Sequence, residues 1–261
     1  MTNLLRPVLT ACGLLLLWQG IVWGFDLPSY ILPAPHRVAL AFVDNTGLLL
    51  REATVTVIEM LLGLLFGCLL GAAAAICLLL SPAARRWLLP LLVASQAVPV
   101  FALAPLLVLW LGFGIASKVM MAVLVIFFPV AVALYDGLRR TEAGWLDLAR
   151  VMTADAPEHR LRILQHIRLM AALPAFASGL KIAAAVAPIG AVIGEWVGAG
   201  AGLGFRMLQA NARVQTDLMF AALILLAVCA VTFYVGVDAM TRRWLRWQAD
   251  SHPSLLSPVK E

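Results

Sequence analysis

DLARVMTADAPEHRLRILQHIRLMAALP, residues 147–174, is the longest strongly polar stretch in an otherwise apolar chain. It carries Arg150, Asp155, Glu158, His159, Arg160, Arg162, His166 and Arg168, and long apolar runs flank it on both sides. Charged side chains are costly in hydrocarbon, so such a segment between two membrane-length runs has to lie outside the bilayer. The rest of the chain is read outward from it.

The composition is that of an integral membrane protein. The 261 residues are 63% hydrophobic and only 13% charged, with a mean hydropathy of +0.96. Soluble domains are about half apolar and about 25% charged. Runs of about 20 apolar residues recur, the length that crosses a hydrocarbon core as a helix. The short alternating segments of a β-barrel are absent. The fold class is therefore an all-α membrane protein with about six transmembrane helices. The expected spans are residues 8–25, 55–80, 88–111, 119–138, 175–197 and 218–240. The third contains Pro90, Pro99 and Pro105 and is expected to be broken or kinked, because proline removes a helical hydrogen bond and bends the axis.

Six spans put both termini on one side, and the basic residues say which. Arg37, Arg51, Lys118, Arg206 and Arg213 fall in segments on one side; the other fourteen of the nineteen lysines and arginines fall on the opposite side. Positive charge collects in the cytoplasm, so both termini and residues 147–174 are expected there. This bias also explains the net charge of +5 without nucleic acid. The four cysteines, Cys12, Cys68, Cys77 and Cys229, are scattered singly and read as packing residues, not metal ligands. Leu9-Thr10-Ala11-Cys12 looks like a lipoprotein cleavage box, but its apolar run follows the cysteine, so the N-terminus reads as an uncleaved first span. No linker or repeat divides the chain. It reads as one transmembrane domain, 1–261, with a core at 50–241, a polar loop at 139–175 and a tail at 242–261.

No residue pattern offers energy conversion. There is no GxxxxGK[ST] loop for phosphates and no nucleophile set, and His36, His159, His166 and His252 are dispersed. The glycine-rich GAGAGLGF, residues 198–205, follows a membrane span and precedes no βα unit, so it is not a dinucleotide fingerprint. If the protein moves a solute uphill, another subunit has to supply the energy.

The polar stretch resembles the EAA loop of the membrane subunits of binding-protein-dependent ABC importers. Asp147, Leu148 and Ala149 stand for the Glu-Ala-Ala start and Thr153 for the usual glycine. Ile167-x-Leu169 stands for the Ile-x-Leu-Pro segment, with Met170 in place of proline, about one helical turn further along than in the family. SQAVPVFALAPLLVLWLGFG (95–114), IGEWVGAGAGLGF (193–205) and ILPAP (31–35) carry the resemblance across residues 31–240. They are similar to the branch that imports sulfonates, taurine, nitrate and thiamin-pyrimidine precursors. GLKIAAAVAPIGAVIGEWVGAGAGLGF (179–205) and MLQANARVQTDLMFAAL (207–223) look most like its hydroxymethylpyrimidine permease.

The resemblance implies a type I permease fold, with a coupling helix between spans four and five docked on a separate ATP-binding subunit. Asp147, Leu148, Ala149, Arg150, Thr153 and Ala154 are the implied contacts. It also implies a homodimer, a solute-binding protein on the outer face near residues 26–51 and 198–217, and alternating access by rocking of helix bundles. The chain would be no enzyme and hold no cofactor, ATP being used by the partner.

Inside the spans, Glu195, Glu59 and Pro188 are candidates for the substrate path, since intramembrane carboxylates face a cavity or a partner. Glu195 has an alternative, a structural bond to loop amides near residues 198–204. Glu59 has another, pairing with Arg51. Lys181 reads as snorkelling to the cytoplasmic interface. Pro188 kinks span five, and Gly190 and Gly194 allow close helix approach. Most tryptophans fall near span ends, as in an interfacial belt. With carboxylates in the spans and no intramembrane arginine, a neutral or cationic solute such as an aminopyrimidine fits better than sulfonate, taurine or nitrate. A secondary transporter or an intramembrane enzyme would need more converging polar groups at membrane depth.

Overall fold

The computed structural model describes residues 2–152, 162–198 and 200–247, and every element among them is helical. They form α1 (Thr2–Gly24), α2 (Pro35–Asp44), α3 (Thr46–Leu80), α4 (Pro82–Ser95), α5 (Val100–Leu111), α6 (Ile115–Arg139), α7 (Ala143–Met152), α8 (Leu169–Gly198), α9 (Leu203–Ala212) and α10 (Thr216–Trp244). A single wide turn, Leu164–Arg168, runs into α8 without a break, so the two make one 35-residue helix.

The packing is built around α6, which lies between α3 and α8. The reason is legible in side-chain size. The face of α3 that turns inward reads Leu49, Ala53, Thr56, Met60, Gly63, Gly67, Gly71, Ala75 and Leu78, a stripe at helical spacing. A Cβ added at Gly67 would stand 2.6 Å from Ile126 Cγ2, so α3 and α6 touch almost backbone to backbone. The inner face of α8 is equally small: Ala183, Ala187, Gly190, Ala191 and Gly194 are all buried. Apolar solvent supplies no hydrophobic drive between membrane helices; close contact of small residues supplies dispersion instead. Met60, Ala122, Ile126, Val130 and Ala187 form the centre of this three-helix contact.

Among the described residues, four helices are long and apolar enough to cross a membrane: α3, α6, the Leu164–Gly198 helix and α10. The expected third span is broken. Its two halves, α4 and α5, meet at a bend of 103°, with Pro99 preceding the first residue of α5. Counted as one span, this pair makes a fifth. The apolar part of α1, Cys12–Gly24, falls short of crossing length, so helix length alone does not reach the expected six.

Two of the boundaries that differ from the sequence reading bear on a polar cluster. The helix of the second span begins at Thr46, nine residues before the expected start, and α6 begins at Ile115. Both extensions bring into the bundle charged residues that lie outside the expected spans, Glu52 and Lys118. At one end of the bundle α9 packs through Leu203 against Val38, Leu49, Ala53, Ala221 and Ala222. Thr216 at the start of α10 donates to the carbonyl of Ser29, 2.7 Å, fastening the segment after α1 to the same end.

Candidate functional site

Two regions carry the features expected to matter, at opposite ends of α8. The first is formed by α7 and the beginning of the Leu164–Gly198 helix. Glu142 precedes α7 and accepts from the indole of Trp145, 3.1 Å. Ala149 is buried, while Trp145, Leu148, Val151 and Met152 are exposed. Large apolar side chains at 145, 148 and 152 share one face of the short helix. Trp145, Leu148 and Met152 form one wall of a cavity of about 540 Å³; Ile167 and Met170 form the other, and Trp247 closes it from beyond α10. An exposed apolar hollow of this kind marks a surface for a partner. Asp147 and Arg150 lie on α7. Thr153 and Ala154 lie outside the described residues.

The second region is a buried polar cluster where α3, α6 and α8 meet the N-terminus of α9. The first four amides of a helix lack partners within it. In α9 they are supplied from other helices. The amide of Gly202 donates to Glu52 Oε2 at 2.6 Å, that of Leu203 to Thr56 Oγ1 at 2.9 Å and that of Gly204 to Glu195 Oε2 at 2.5 Å. Phe205 adds a longer bond to the same Glu195 oxygen, 3.4 Å. Thr56 in turn donates to Glu195 Oε1, 2.5 Å, joining the two anchoring helices. Lys118 Nζ donates to Glu59 Oε1 and to the carbonyl of Ala201, both at 2.8 Å. Arg206 pairs with Glu52 Oε1 at 2.7 Å.

The glycine-rich loop is explained by what it surrounds. Gly202 has φ +118°, and a Cβ there would collide with the carboxyl of Glu195. At Gly204 a Cβ would stand 2.7 Å from Glu195 Oε2. The loop is thus an anion-binding concavity of backbone amides whose anion is a side chain of the same protein. The helix end also carries roughly half a positive charge. That polarity suits the carboxyl oxygens of Glu52 and Glu195 that meet it.

Glu195 and Glu59 are brought together here, and both are fully buried. Of the two expectations for Glu195, the bonds present are those to loop amides. The suggested pairing of Glu59 with Arg51 is not formed. Arg51 is exposed, and Lys118 takes that place. Lys181, read as reaching for the interface, has a partner on a neighbouring helix. It lies 2.6 Å from Asp238 of α10, which also holds Arg242 at 2.8 Å. Pro188 is buried within α8 seven residues before Glu195.

Glu52, Thr56, Lys118 and Arg206 were not singled out from the sequence. A signal was present for two of them. Glu52, Thr56 and Glu59 are spaced four and three residues apart, one polar stripe on a single helix face, continuous with Ala53 and Met60. It is visible once the helix is allowed to begin before residue 52.

The family model for "binding-protein-dependent transport system inner membrane component" matches residues 63–246, well over half the chain and including the polar stretch and both ends of α8. The chain is 50% identical over 243 residues to a probable ABC transporter permease protein of Haemophilus influenzae, covering 93% of this chain and 98% of that one. It is 31% identical over 245 residues to the formylaminopyrimidine transport permease protein ThiX of Halalkalibacterium halodurans, covering 94% and 96%. It is 35% identical over 242 residues to the riboflavin transport system permease protein RibX of Chloroflexus aurantiacus, covering 90% and 87%. The chain therefore belongs to the family of binding-protein-dependent transport system inner membrane components, the multi-pass permease subunits of ABC importers that work with a separate ATPase and a solute-binding protein.

Proposed function

We propose that this permease imports a neutral pyrimidine of the hydroxymethylpyrimidine, thiamin-precursor type. The observation that carries the solute class is the state of the cations. Lys118 faces Glu59, Arg206 faces Glu52 and Lys181 faces Asp238. Among the described residues, each basic side chain held between helices already has its carboxylate. A sulfonate or nitrate passing through would have to compete with those carboxylates, whereas an uncharged ring would not. The formylaminopyrimidine relative supports the same class.

In this reading the α7 end faces the cytoplasm, with both termini, and the α9 end faces outward. The ATP-binding subunit docks at Asp147, Leu148, Ala149, Arg150, Thr153 and Ala154, over the apolar hollow lined by Leu148 and Met170. Two copies of the chain flank the solute path. Closure of the ATPases draws the coupling helices together and opens the permease outward. Pro188 and the small faces of α6 and α8 allow those helices to slide, and the solute-binding protein meets the side of the bundle that carries α9. The riboflavin relative supports a second reading, a larger uncharged heteroaromatic ring.

The deciding experiment is uptake by proteoliposomes holding permease, ATPase and binding protein. Labelled hydroxymethylpyrimidine, riboflavin and taurine are compared. ATP-dependent accumulation of the pyrimidine is expected. Accumulation of taurine alone would refute the solute class while leaving the importer assignment intact.

A further inference from the structure

We propose that Glu195, together with Glu52 and Thr56, is a positioning set that locks α9 to α8 and α3. On this proposal the outer helix moves with the coupling end and not independently of it. The inference rests on the importer reading above.

Three observations support it. First, α8 runs as one helix from the coupling region, with Pro174 and Pro188 inside it. The Leu164–Gly198 helix is unbroken over 35 residues. Its first turns carry Ile167 and Met170 into the hollow beside α7, and Glu195 sits 28 residues on from Ile167, about 42 Å at 1.5 Å per residue. Second, the joint at its far end is polar, directional and multiple. Four consecutive amides, Gly202 to Phe205, are held by three side chains from two helices. A greasy contact can slide. A helix end held by bonds of fixed direction cannot shift without exposing every group at once. Third, the joint has no slack. Gly202 and Gly204 leave no room for a Cβ beside the Glu195 carboxyl, and Thr56 ties that carboxyl back to α3.

The surface so positioned is the exposed edge of α9 and the turn after it. The turn is closed by bonds from Val214 N to the carbonyl of Asn211 and from Gln215 N to that of Ala210. Val214 occupies the left-handed region, φ 56°, where a β-branched side chain is strained, and it is exposed at 67%. A rigid helix ending in a rigid exposed turn can pass the arrival of the solute-binding protein on to α8, and through α8 to the ATPase.

The test uses the reconstituted complex of permease, ATPase and solute-binding protein. Glu195→Ala, Glu195→Gln and Thr56→Val are compared with wild type. Hydrogen exchange across residues 200–212 reports the lock. The ratio of ATP turnover with loaded binding protein to turnover without it reports transmission. In Glu195→Ala, exchange at the Gly202 to Phe205 amides is expected to rise at least tenfold. The stimulation ratio should fall toward one, with the basal rate held. Glu195→Gln keeps an oxygen acceptor for the Gly204 amide and should restore most of both. Thr56→Val, nearly isosteric, should show the same pairing of effects more weakly, and it serves if the alanine variant does not accumulate. Faster exchange with an unchanged stimulation ratio would overturn the proposal. So would a proportional loss of basal and stimulated turnover in Thr56→Val, which marks a purely structural role. A wild-type complex that shows no stimulation would instead remove the importer reading, and this proposal with it.

Discussion

Lys118 Nζ of α6 lies 2.8 Å from Glu59 Oε1 of α3, and both side chains are shut inside the bundle. The two residues are 59 positions apart in the chain, and their pairing ties two helices whose contact is otherwise apolar, with glycines of α3 set against Ala122, Ile126 and Val130 of α6. Removing one partner of a buried pair leaves a charge without compensation, at a cost of about 3–5 kcal/mol, whereas removing both together costs far less. Lys118→Met is therefore expected to lower the thermal midpoint of the detergent-solubilised protein strongly. The double variant Lys118→Met, Glu59→Met should recover most of the loss, though not all, because the carbonyl of Ala201 also loses its donor. Intrinsic tryptophan fluorescence during heating reads this. Equal midpoints for the single variant and wild type would show that the pair is not closed off as described.

A second ion pair should behave differently. Lys181 meets Asp238 at 2.6 Å, but about a third of the lysine side chain is exposed and Asp238 has Arg242 as a second partner. Exposed pairs contribute about 0–1 kcal/mol because water competes for both groups. Lys181→Met should shift the midpoint by only a small fraction of the Lys118→Met shift. A large shift would place Asp238 in a drier setting than its exposure indicates.

The contact of α8 with α6 makes a steric prediction. A Cβ at Gly190 would stand 2.7 Å from the Cα of Ala122, a backbone atom that cannot rotate away. Gly190→Val should therefore push the two helices apart, costing on the order of 1–3 kcal/mol as overpacking does, and should reduce membrane abundance. Gly236→Ala on α10 is the matched control, since nothing lies within 4 Å of its added Cβ. Its abundance should equal wild type. If both variants accumulate normally, the close approach of α8 and α6 is not required for assembly.

Much of this architecture is legible in the chain, and the parts that are not share one cause. Hydropathy marks the apolar middle of each span, and prolines 90, 99 and 105 mark the broken pair α4 and α5. Hydropathy also trims the spans, because a charge near a span end looks like the start of a loop. Lys118, just after Gly112-Phe113-Gly114, and Glu52, before the apolar run of α3, both fall outside the expected spans for that reason. Each is inside because its counter-charge arrives from elsewhere in the chain: Glu59 for Lys118, and Arg206, 154 residues on, for Glu52. Single-residue reading cannot pair such partners. Glu195 stands out in the sequence because it is a carboxylate inside a span, near its end and just before the glycine-rich loop. Its bond to loop amides was among the alternatives because the glycines follow it at once. The roles of Glu52 and Thr56 required the fold.

The apolar face of α7 supplies the last prediction. Leu148 is exposed at 54% and projects into the hollow shared with Ile167 and Met170. Its removal from the surface of the single chain should cost the fold little, since surface substitutions away from caps and pairs stay within about 0.5 kcal/mol. At an interface the same position becomes a desolvated contact, and a carboxylate placed there is costly to bury in a hollow whose lining, Arg140, Glu142 and His166 apart, is mainly apolar. Leu148→Glu is therefore expected to leave abundance and thermal midpoint near wild type. Co-purification of the ATP-binding subunit should fall by an order of magnitude or more, a change of about 1.4 kcal/mol or above in association. Leu148→Met, which keeps the apolar contact, should bind normally. Retention of the ATPase by Leu148→Glu would move the docking surface away from α7, toward the part of the polar stretch beyond Met152.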